Sequence, residues 1–389
     1  MKPLCLVRYG EISLKGASTR SFMEKQLINS IVYTLDSNGI PYSEVKLARG
    51  RIFVYTNHAE EAAHALSKVF GVASTSPAWE ISKGLKEIEQ AALKVFSKAV
   101  QRKYTFAVRA RREDKGYPLT SMDLQRHLGS LILEKFKDFG ISVDLENPDV
   151  TLYLEVRRTG AYLYFKVIRG VGGLPYATSG KVVALVSPGI DSPVAAWMMM
   201  RKGCEVVPIL CDFSNVLGEQ FLERWLKIAE ILRRWAPSPS FEAVIVKDFD
   251  EAISGVAAKA GRYTCLACKR LMYLVGVKLA EKLGGSCVVT GESLAQVASQ
   301  TLSNISSLSH NLPLPILRPL LAYDKEEIVN LAKRIGTYQA AITGKAPCPF
   351  TPAQPKTRSS RDEMLRLEER FSLVERAESL SKCAEVIKL

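Results

Sequence analysis

The stretch 185–197, LVSPGIDSPVAAW, sets a glycine, two serines and a carboxylate between an apolar run and a helix-like run. Ser192 followed by Pro193 reads as an N-cap and first helical position, with Gly203 as the stop. The loop then opens onto a helix N-terminus, where free backbone N–H groups and the helix dipole favour an anion. Gly189 allows close backbone approach, and the hydroxyls of Ser187 and Ser192 can donate to phosphate oxygens. Asp191 would be repelled by a bare phosphate, so it makes sense beside Mg²⁺ or as an orienting group. The same fragment alone also suits an ordinary strand-to-helix turn.

A second group with chemical potential is cysteine. Cys5, Cys204, Cys211 and Cys287 sit in or begin apolar, strand-like runs and read as core. Cys265 and Cys268, in YTCLACKRLMY, have the C-x-x-C spacing that lets two thiolates reach one metal or cluster, and Cys348, in APCPF, is a third candidate on a loop stiffened by prolines. A structural zinc with a fourth ligand elsewhere, or a Cys265–Cys268 redox pair with Cys348 carrying a persulfide, fits the same residues. Cys383, in the terminal helix region, reads as incidental.

These residues must be positioned by at least two kinds of unit. Residues 3–8 read as a strand, 18–37 as a helix with Ile28, Ile31, Val32 and Leu35 on one face, and 46–56 as a hairpin turning at Arg49-Gly50. Helix-like stretches at 59–70, 86–99 and 122–136 alternate with strand-like runs at 104–109 and 162–168, and the glycine-rich 169–180 reads as a linker. Beyond it, short apolar strands at 182–187, 205–210, 243–246 and 286–290 separated by helix-length segments predict an α/β fold with a doubly wound parallel sheet. Ligands in such sheets bind beyond the carboxyl ends of the strands, where the 187–192 loop falls.

VVTGESLAQVASQTLSNI, from Val288, repeats the strand, glycine turn and helix pattern, placing Gln296 and Gln300 one helical turn apart. RPLLAYDKEEIVNLAKRIG, from Arg318, predicts a helix with a capping box of Asp324 and Glu327 and a core stripe of Ile328, Leu331, Ala332 and Ile335.

The 389 residues carry 53 Lys and Arg against 40 Asp and Glu, and residues 1–178 alone carry 26 basic and 18 acidic residues. Arg102, Lys103, Arg109, Arg111, Arg112 and Lys115 crowd one short segment, a footprint suited to a phosphate backbone and equally to a solvated charged face. No apolar run approaches the ~18 residues that span a bilayer, and no secretory signal opens the chain, so a cytoplasmic protein away from membranes is expected.

Together VRYGEISLKG at Val7, GGLPYATSGKV at Gly172, SPGIDSPVA at Ser187, CKRLMY at Cys268 and TGESLAQVASQTLSNI at Thr290 resemble the tRNA 4-thiouridine synthases, the ThiI-type tRNA sulfurtransferases, within the PP-loop ATP pyrophosphatases. The resemblance covers essentially the whole chain. It implies a ferredoxin-like domain over 1–58, a tRNA-binding THUMP domain over 59–168, a linker over 169–180 and a PP-loop domain over 181–389.

The resemblance also implies nucleotide contacts at Leu185, Val186, Leu210, Cys211, Arg270, Gly291 and Gln300, beside Ser187, Gly189 and Ser192, with Asp191 the catalytic carboxylate. The reaction implied is attack of uridine O4 on the α-phosphate of ATP, with Mg²⁺, then displacement of AMP by sulfur, at the uridine eight positions from the tRNA 5′ end. Pro188 departs from the family loop, Ser-Gly-Gly-x-Asp-Ser; one lost neutral hydrogen bond would cost roughly 0.5–1.5 kcal/mol. That is the one feature favouring a tRNA-binding protein with a decayed loop. Adenylation directed to a sulfur-carrier protein for thiamine synthesis is a third reading, which the basic front half disfavours.

With some forty residues after Cys348 and no rhodanese domain expected, sulfur must arrive from sulfide or a cysteine desulfurase. Cys265, Cys268 and Cys348 with an open fourth position resemble the 3Fe–4S or 4Fe–4S arrangement of cluster-dependent tRNA thiolases, and relatives suggest a homodimer.

Overall fold

The computed structural model describes residues 1–48, 50–101, 103–344 and 346–389, and among these described residues the chain divides into two compact units, Met1–Gly173 and Leu174–Leu389. No helix among them is long and apolar enough to cross a membrane.

The first unit runs β1 (Lys2–Tyr9), α1 (Ala17–Ser37), β2 (Glu44–Ala48), β3 (Arg51–Tyr55), α2 (Ala59–Leu66), β4 (Val72–Ile81), α3 (Leu85–Ala99), β5 (Thr105–Arg112), α4 (Ser121–Lys135), β6 (Ser142–Val143), β7 (Val150–Arg157), β8 (Gly160–Tyr164) and β9 (Ile168–Arg169). The buried stripe of α1 is Met23, Leu27, Ile31 and Leu35, so the expected face is rotated and leaves Ile28 and Val32 half-buried. The expected β2–β3 hairpin forms, with Gly50 at φ +74°; its other turn residue, Arg49, lies outside the described residues.

These strands make one sheet in the order β2-β3-β1-β4-β8-β7-β5-β6, with β9 added to β4. Strand β4 pairs along all of β1 and, through Trp79–Ile81, with β8. Its apolar pattern is interrupted in the sequence because Thr75 and Ser76, on opposite faces of the strand, are both fully buried. The sheet curls until strands far apart in its order meet face to face. Phe53 of β3 stacks on Tyr162 of β8 with centroids 4.6 Å apart. Glu155 of β7 accepts from Arg8 of β1 at 3.3 Å and from Arg51 of β3 at 3.1 Å. Burial alone would raise the Glu155 pKa, but Arg51 and Arg8 overcome it and hold the carboxyl below its ordinary range.

The stretch 169–180, read as a linker, is ordered on both sides of the break after Gly173. Gly172 N–H donates to Val72 O at 2.8 Å and Val171 N–H to Ser67 O at 3.0 Å, within the first unit. Leu174 N–H donates to Arg201 O at 3.0 Å and Ser179 N–H to Gly203 O at 2.8 Å, within the second.

The second unit runs β10 (Lys181–Leu185), α5 (Asp191–Arg201), β11 (Glu205–Cys211), α6 (Ser214–Leu217), α7 (Gln220–Trp235), β12 (Glu242–Val246), α8 (Phe249–Ala260), α9 (Thr264–Leu283), β13 (Val288–Val289), α10 (Leu302–Leu308), β14 (Ile316–Leu317), α11 (Lys325–Ile335), α12 (Tyr338–Ile342), α13 (Arg361–Phe371), α14 (Leu373–Lys382) and β15 (Glu385–Lys388). The sheet order is β14-β13-β10-β11-β12-β15, parallel except for β15, whose four residues carry too little apolar pattern to be read as a strand. Helices α5, α7, α11 and α12 pack with one another, and α8, α9, α13 and α14 form a second group, whose core includes Val183, Ile209 and Val246 of the sheet. This is the doubly wound α/β fold expected.

Two local expectations fail. Helix α5 begins at Asp191 with Ile190 at its N-cap, so Ser192 does not cap it and Pro193 is the third helical position. Gln296 and Gln300 do not share an α-helix: Ala295 takes φ +61°, a three-residue 3-10 turn spans Ala298–Gln300, and only α10, capped by Thr301, is α-helical. The capping box of Asp324 and Glu327 forms as expected, and α11 buries Ile328, Ala332 and Ile335.

Candidate active site

The chain leaves β10 for β11 and β12, then returns to lay β13 along the other edge of β10. At this reversal the strand ends part, the place where an open parallel sheet takes a ligand. A cavity of about 260 Å³ lies there, walled by the 187–192 loop, by Leu185 and Cys211 at their strand ends, and by Thr290, Gly291 and Glu292 after β13.

Of the expected nucleotide contacts, Leu185, Val186, Ser187, Gly189, Ser192, Cys211, Gly291 and Gln300 line the cavity together with Asp191. Leu210 and Arg270 do not. Ile209 and Cys211 line it, and alternation along β11 turns the fully buried Leu210 to the opposite face. Arg270 is buried, paired with Glu368 and donating to Leu308 O at 2.6 Å. Its helix presents Lys269, Met272 and Tyr273 to the cavity instead, one residue out of the expected register.

The loop is folded around its serines. Ser192 Oγ accepts from Ser187 N–H at 2.9 Å and lies 3.1 Å from Ser187 Oγ. This is why Ser192 cannot serve as the helix cap. The backbone N–H groups of Gly189, Ile190 and Asp191 have no partner among the described residues, and the helix start carries no side-chain cap. Three free donors at a helix N-terminus make a cradle for an anion. Gly291 approaches this start so closely that a β-carbon on it would stand 2.5 Å from both Ser192 Cα and Ser192 N.

Asp191 is bracketed from two other segments: Lys325 at the start of α11 donates to Oδ1 at 2.5 Å, and Gln296 to Oδ2 at 3.2 Å. Lys325 falls in the run assigned to structure by its capping box, so no separate signal in the sequence marks it.

Beside the cavity lies a buried charge network that the spacing of motifs does not reveal. Glu292 accepts from Lys269 at 2.8 Å, Arg318 at 2.7 Å, Thr290 at 3.1 Å and the Tyr273 hydroxyl. Burial opposes ionisation of Glu292, but Lys269 and Arg318 outweigh it and bring the pKa down to about 2. Burial, then the Glu292 charge, raises Tyr273 and keeps its phenol neutral.

The cysteines gather near the same wall. Cys265 and Cys268 stand one turn apart at the start of α9, and Cys268 packs against the core that holds Cys211. Burial raises Cys268 well above the ordinary thiol value, and charges on Cys211, Cys348 and Cys265 would raise it further; burial and Cys348 likewise raise Cys265. Cys268 is therefore near enough to the other three sulfurs, and Cys265 to Cys348, for a charge on one to oppose a charge on the other. Among the described residues, no three His, Cys, Asp or Glu side chains are arranged to hold a metal ion. Cys348 and Cys383 are exposed, and Cys5, Cys204 and Cys287 are buried as expected.

In the first unit, Arg109 and Arg111 alternate onto one side of β5 and are exposed, as are Lys103 and Lys115. Arg112 faces the other way and donates to Tyr117 O at 2.7 Å and Leu119 O at 3.2 Å, holding the turn that follows the strand. Arg102 lies outside the described residues.

Residues 177–373 match the family model described as "Thiamine biosynthesis protein (ThiI)", residues 82–166 the THUMP domain and residues 4–76 the ThiI ferredoxin-like domain. The chain is 39% identical over 381 residues to a probable tRNA sulfurtransferase of Methanocaldococcus jannaschii, covering 95% of this chain and 97% of that one. It is 40% identical to the probable tRNA sulfurtransferase of Thermococcus kodakarensis, covering 93% and 95%. Among solved structures, a 4-thiouridine synthetase in complex with RNA and bound ATP matches over 100% of both chains, with TM-score 0.87 and 31% identity. A Pyrococcus horikoshii protein matches over 86% of this chain and 99% of its own, with TM-score 0.68 and 32% identity.

Proposed function

The chain belongs to the ThiI family, and on that premise we propose that it is an ATP-dependent tRNA sulfurtransferase, which adenylates a tRNA uridine at O4 and replaces that oxygen with sulfur. The observation that carries the reading is the row of three N–H groups at the start of α5 without partners among the described residues, on residues that line the cavity at the strand ends.

In this reading the Gly189, Ile190 and Asp191 amides receive the β- and γ-phosphates of ATP, while the apolar wall of Leu185, Ile209 and Phe213 takes the adenine. Uridine O4 attacks the α-phosphorus as the N3 proton is lost; the new P–O bond forms as the bond to the bridging oxygen breaks, and pyrophosphate leaves. Lys325 draws the negative charge that develops, and Asp191 fixes Lys325 and orients the phosphates, with Mg²⁺ accompanying them. A sulfur nucleophile then adds at C4 and AMP departs with the former O4. The target inferred is the uridine eight positions from the 5′ end, gripped through the basic β5 strand.

By the chemistry of their thiols Cys265, Cys268 and the exposed Cys348 would be the donors for an iron–sulfur cluster, although they do not stand in a ligand arrangement here: Cys265 and Cys268, which resist ionisation alone, would become thiolates once a metal cation supplied the opposite charge. Such a cluster would supply an open iron able to hold sulfide for transfer. Sulfide or a cysteine desulfurase is the inferred donor, a homodimer the inferred assembly and the cytoplasm the inferred location. Near-ultraviolet absorbance of tRNA incubated with the protein, ATP, Mg²⁺ and sulfide under anoxia tests the reading. No thiolation, with Asp191→Ala indistinguishable from the parent, would overturn it.

A further inference from the structure

Arg224 on α7 is 9% exposed, yet no carboxylate pairs with it among the described residues. The partners its guanidinium finds there are backbone carbonyls: Pro188 O at 2.6 Å, Ala341 O at 3.0 Å, Gly344 O at 3.1 Å and Ala340 O at 3.4 Å. A buried guanidinium without a counter-anion is costly, so its retention needs a reason. The carbonyls it gathers come from two places only, the phosphate-facing loop and the segment that leads to Cys348.

The Pro188 carbonyl is the informative one. No cis peptide occurs among the described residues, and in a trans peptide the C=O and the following N–H point in opposite directions. Arg224 and Pro188 line a smaller cavity behind the loop and do not line the cavity at the strand ends, whereas Gly189 borders both. With its carbonyl drawn back to Arg224, the 188–189 peptide turns the Gly189 N–H forward into the larger cavity. A charge-assisted bond to that carbonyl also polarises the same N–H.

We propose that Arg224 is a positioning residue that sets the Gly189 N–H toward the phosphates of ATP and couples occupancy of that site to the 340–348 segment carrying Cys348. The inference rests on the adenylation reading and deepens it. It also gives Pro188 a place: the position contributes its carbonyl, and the amide that proline lacks is not the one presented.

The test is ATP affinity by calorimetry and hydrogen exchange of peptides covering 186–192 and 338–348, each with and without Mg²⁺ and ATP. In the parent, ATP should slow exchange in both peptides. Arg224→Gln should weaken ATP binding roughly tenfold, the scale of one bond to a charged group, and abolish the ATP-dependent protection of 338–348. Arg224→Lys, which keeps the charge but cannot span four carbonyls, should fall between and serves if the glutamine variant does not fold. Trp225→Phe, the next residue on α7 and fully buried, perturbs packing alone and should keep the protection of both peptides. Undiminished affinity and unchanged protection in folded Arg224 variants overturn the proposal while leaving adenylation standing. Absence of ATP binding by the parent overturns both.

Discussion

Gly291 lies against Ser192 with no room for even a methyl group: a β-carbon would stand 2.5 Å from two backbone atoms of the serine and 2.8 Å from Asp191 C. Backbone cannot yield as a flexible side-chain end can, so Gly291→Ala must push the start of α5 from the segment after β13. A loss of about 1–3 kcal/mol in unfolding free energy is expected, with ATP binding weakened well beyond what that loss explains. Chemical denaturation paired with calorimetry checks it; unchanged ATP affinity would show that this approach does not shape the cradle.

Asp191 and Lys325 are partly exposed, so their ion pair contributes little to stability, on the order of 1 kcal/mol or less. Its expected importance is electrostatic. Asp191→Asn and Lys325→Met should each lower thiolation by about 10²–10³ while leaving the unfolding midpoint nearly unmoved. Turnover alongside thermal unfolding separates the two, and a fall in stability matching the fall in rate would contradict the assignment.

Glu292 gives a pH prediction with a definite sign. Its folded pKa, about 2, lies below the ordinary 4.5, so the native state binds fewer protons than the unfolded state between those values. The stabilisation is complete above about 4.5 and drains away as pH falls toward 2, amounting to about 3 kcal/mol. Glu292→Gln should remove this pH dependence and lower stability at neutral pH, because Lys269 and Arg318 lose their shared acceptor. Denaturation curves for parent and variant from pH 2 to 6 should converge at the acid end; parallel curves would refute the network's role.

Anaerobically purified protein should contain iron and sulfide, and Cys265→Ala, Cys268→Ala and Cys348→Ala should each lose them. Cys383→Ala, exposed and far along the chain, should not. Equal iron across all four variants would remove the cluster.

Arg111, and Arg109 besides its bond to Leu145 O, should act on tRNA through charge. Replacing both with alanine should weaken binding and reduce the salt slope by up to about 2, roughly one for each phosphate no longer neutralised. Arg112→Ala should chiefly lower stability, since its guanidinium holds the Tyr117 and Leu119 carbonyls. Titrations at several salt concentrations, beside denaturation curves, distinguish the double variant from Arg112→Ala.

Much of the second unit is legible in the sequence because its central strands are buried on both faces and read as plain apolar runs. The 187–192 loop, Gly291 and Gln300 could be found because motifs mark them. Lys269 and Glu292 could not: their importance arises from pairing across 23 residues of chain, which no local pattern records. Arg270 illustrates the converse error, a basic residue in a motif whose side chain serves the core. The Ser192 cap failed for a similar reason: a serine before proline is a sound local signal, but Ser187 claims its hydroxyl. In the first unit β4 escaped because tertiary packing, not its own composition, buries it.

The curled sheet bears on whether its halves can live apart. The THUMP match begins at residue 82, after β4, and includes Glu155 without Arg8 or Arg51. A fragment cut at that boundary would leave Glu155 with Arg157 and Tyr164 but without its two other arginines, a tyrosine face stripped of Phe53, and an open edge on β8 where β4 had been. The boundary between the two matched domains thus runs through a single sheet, and either half taken alone would leave uncovered a surface that the other now buries.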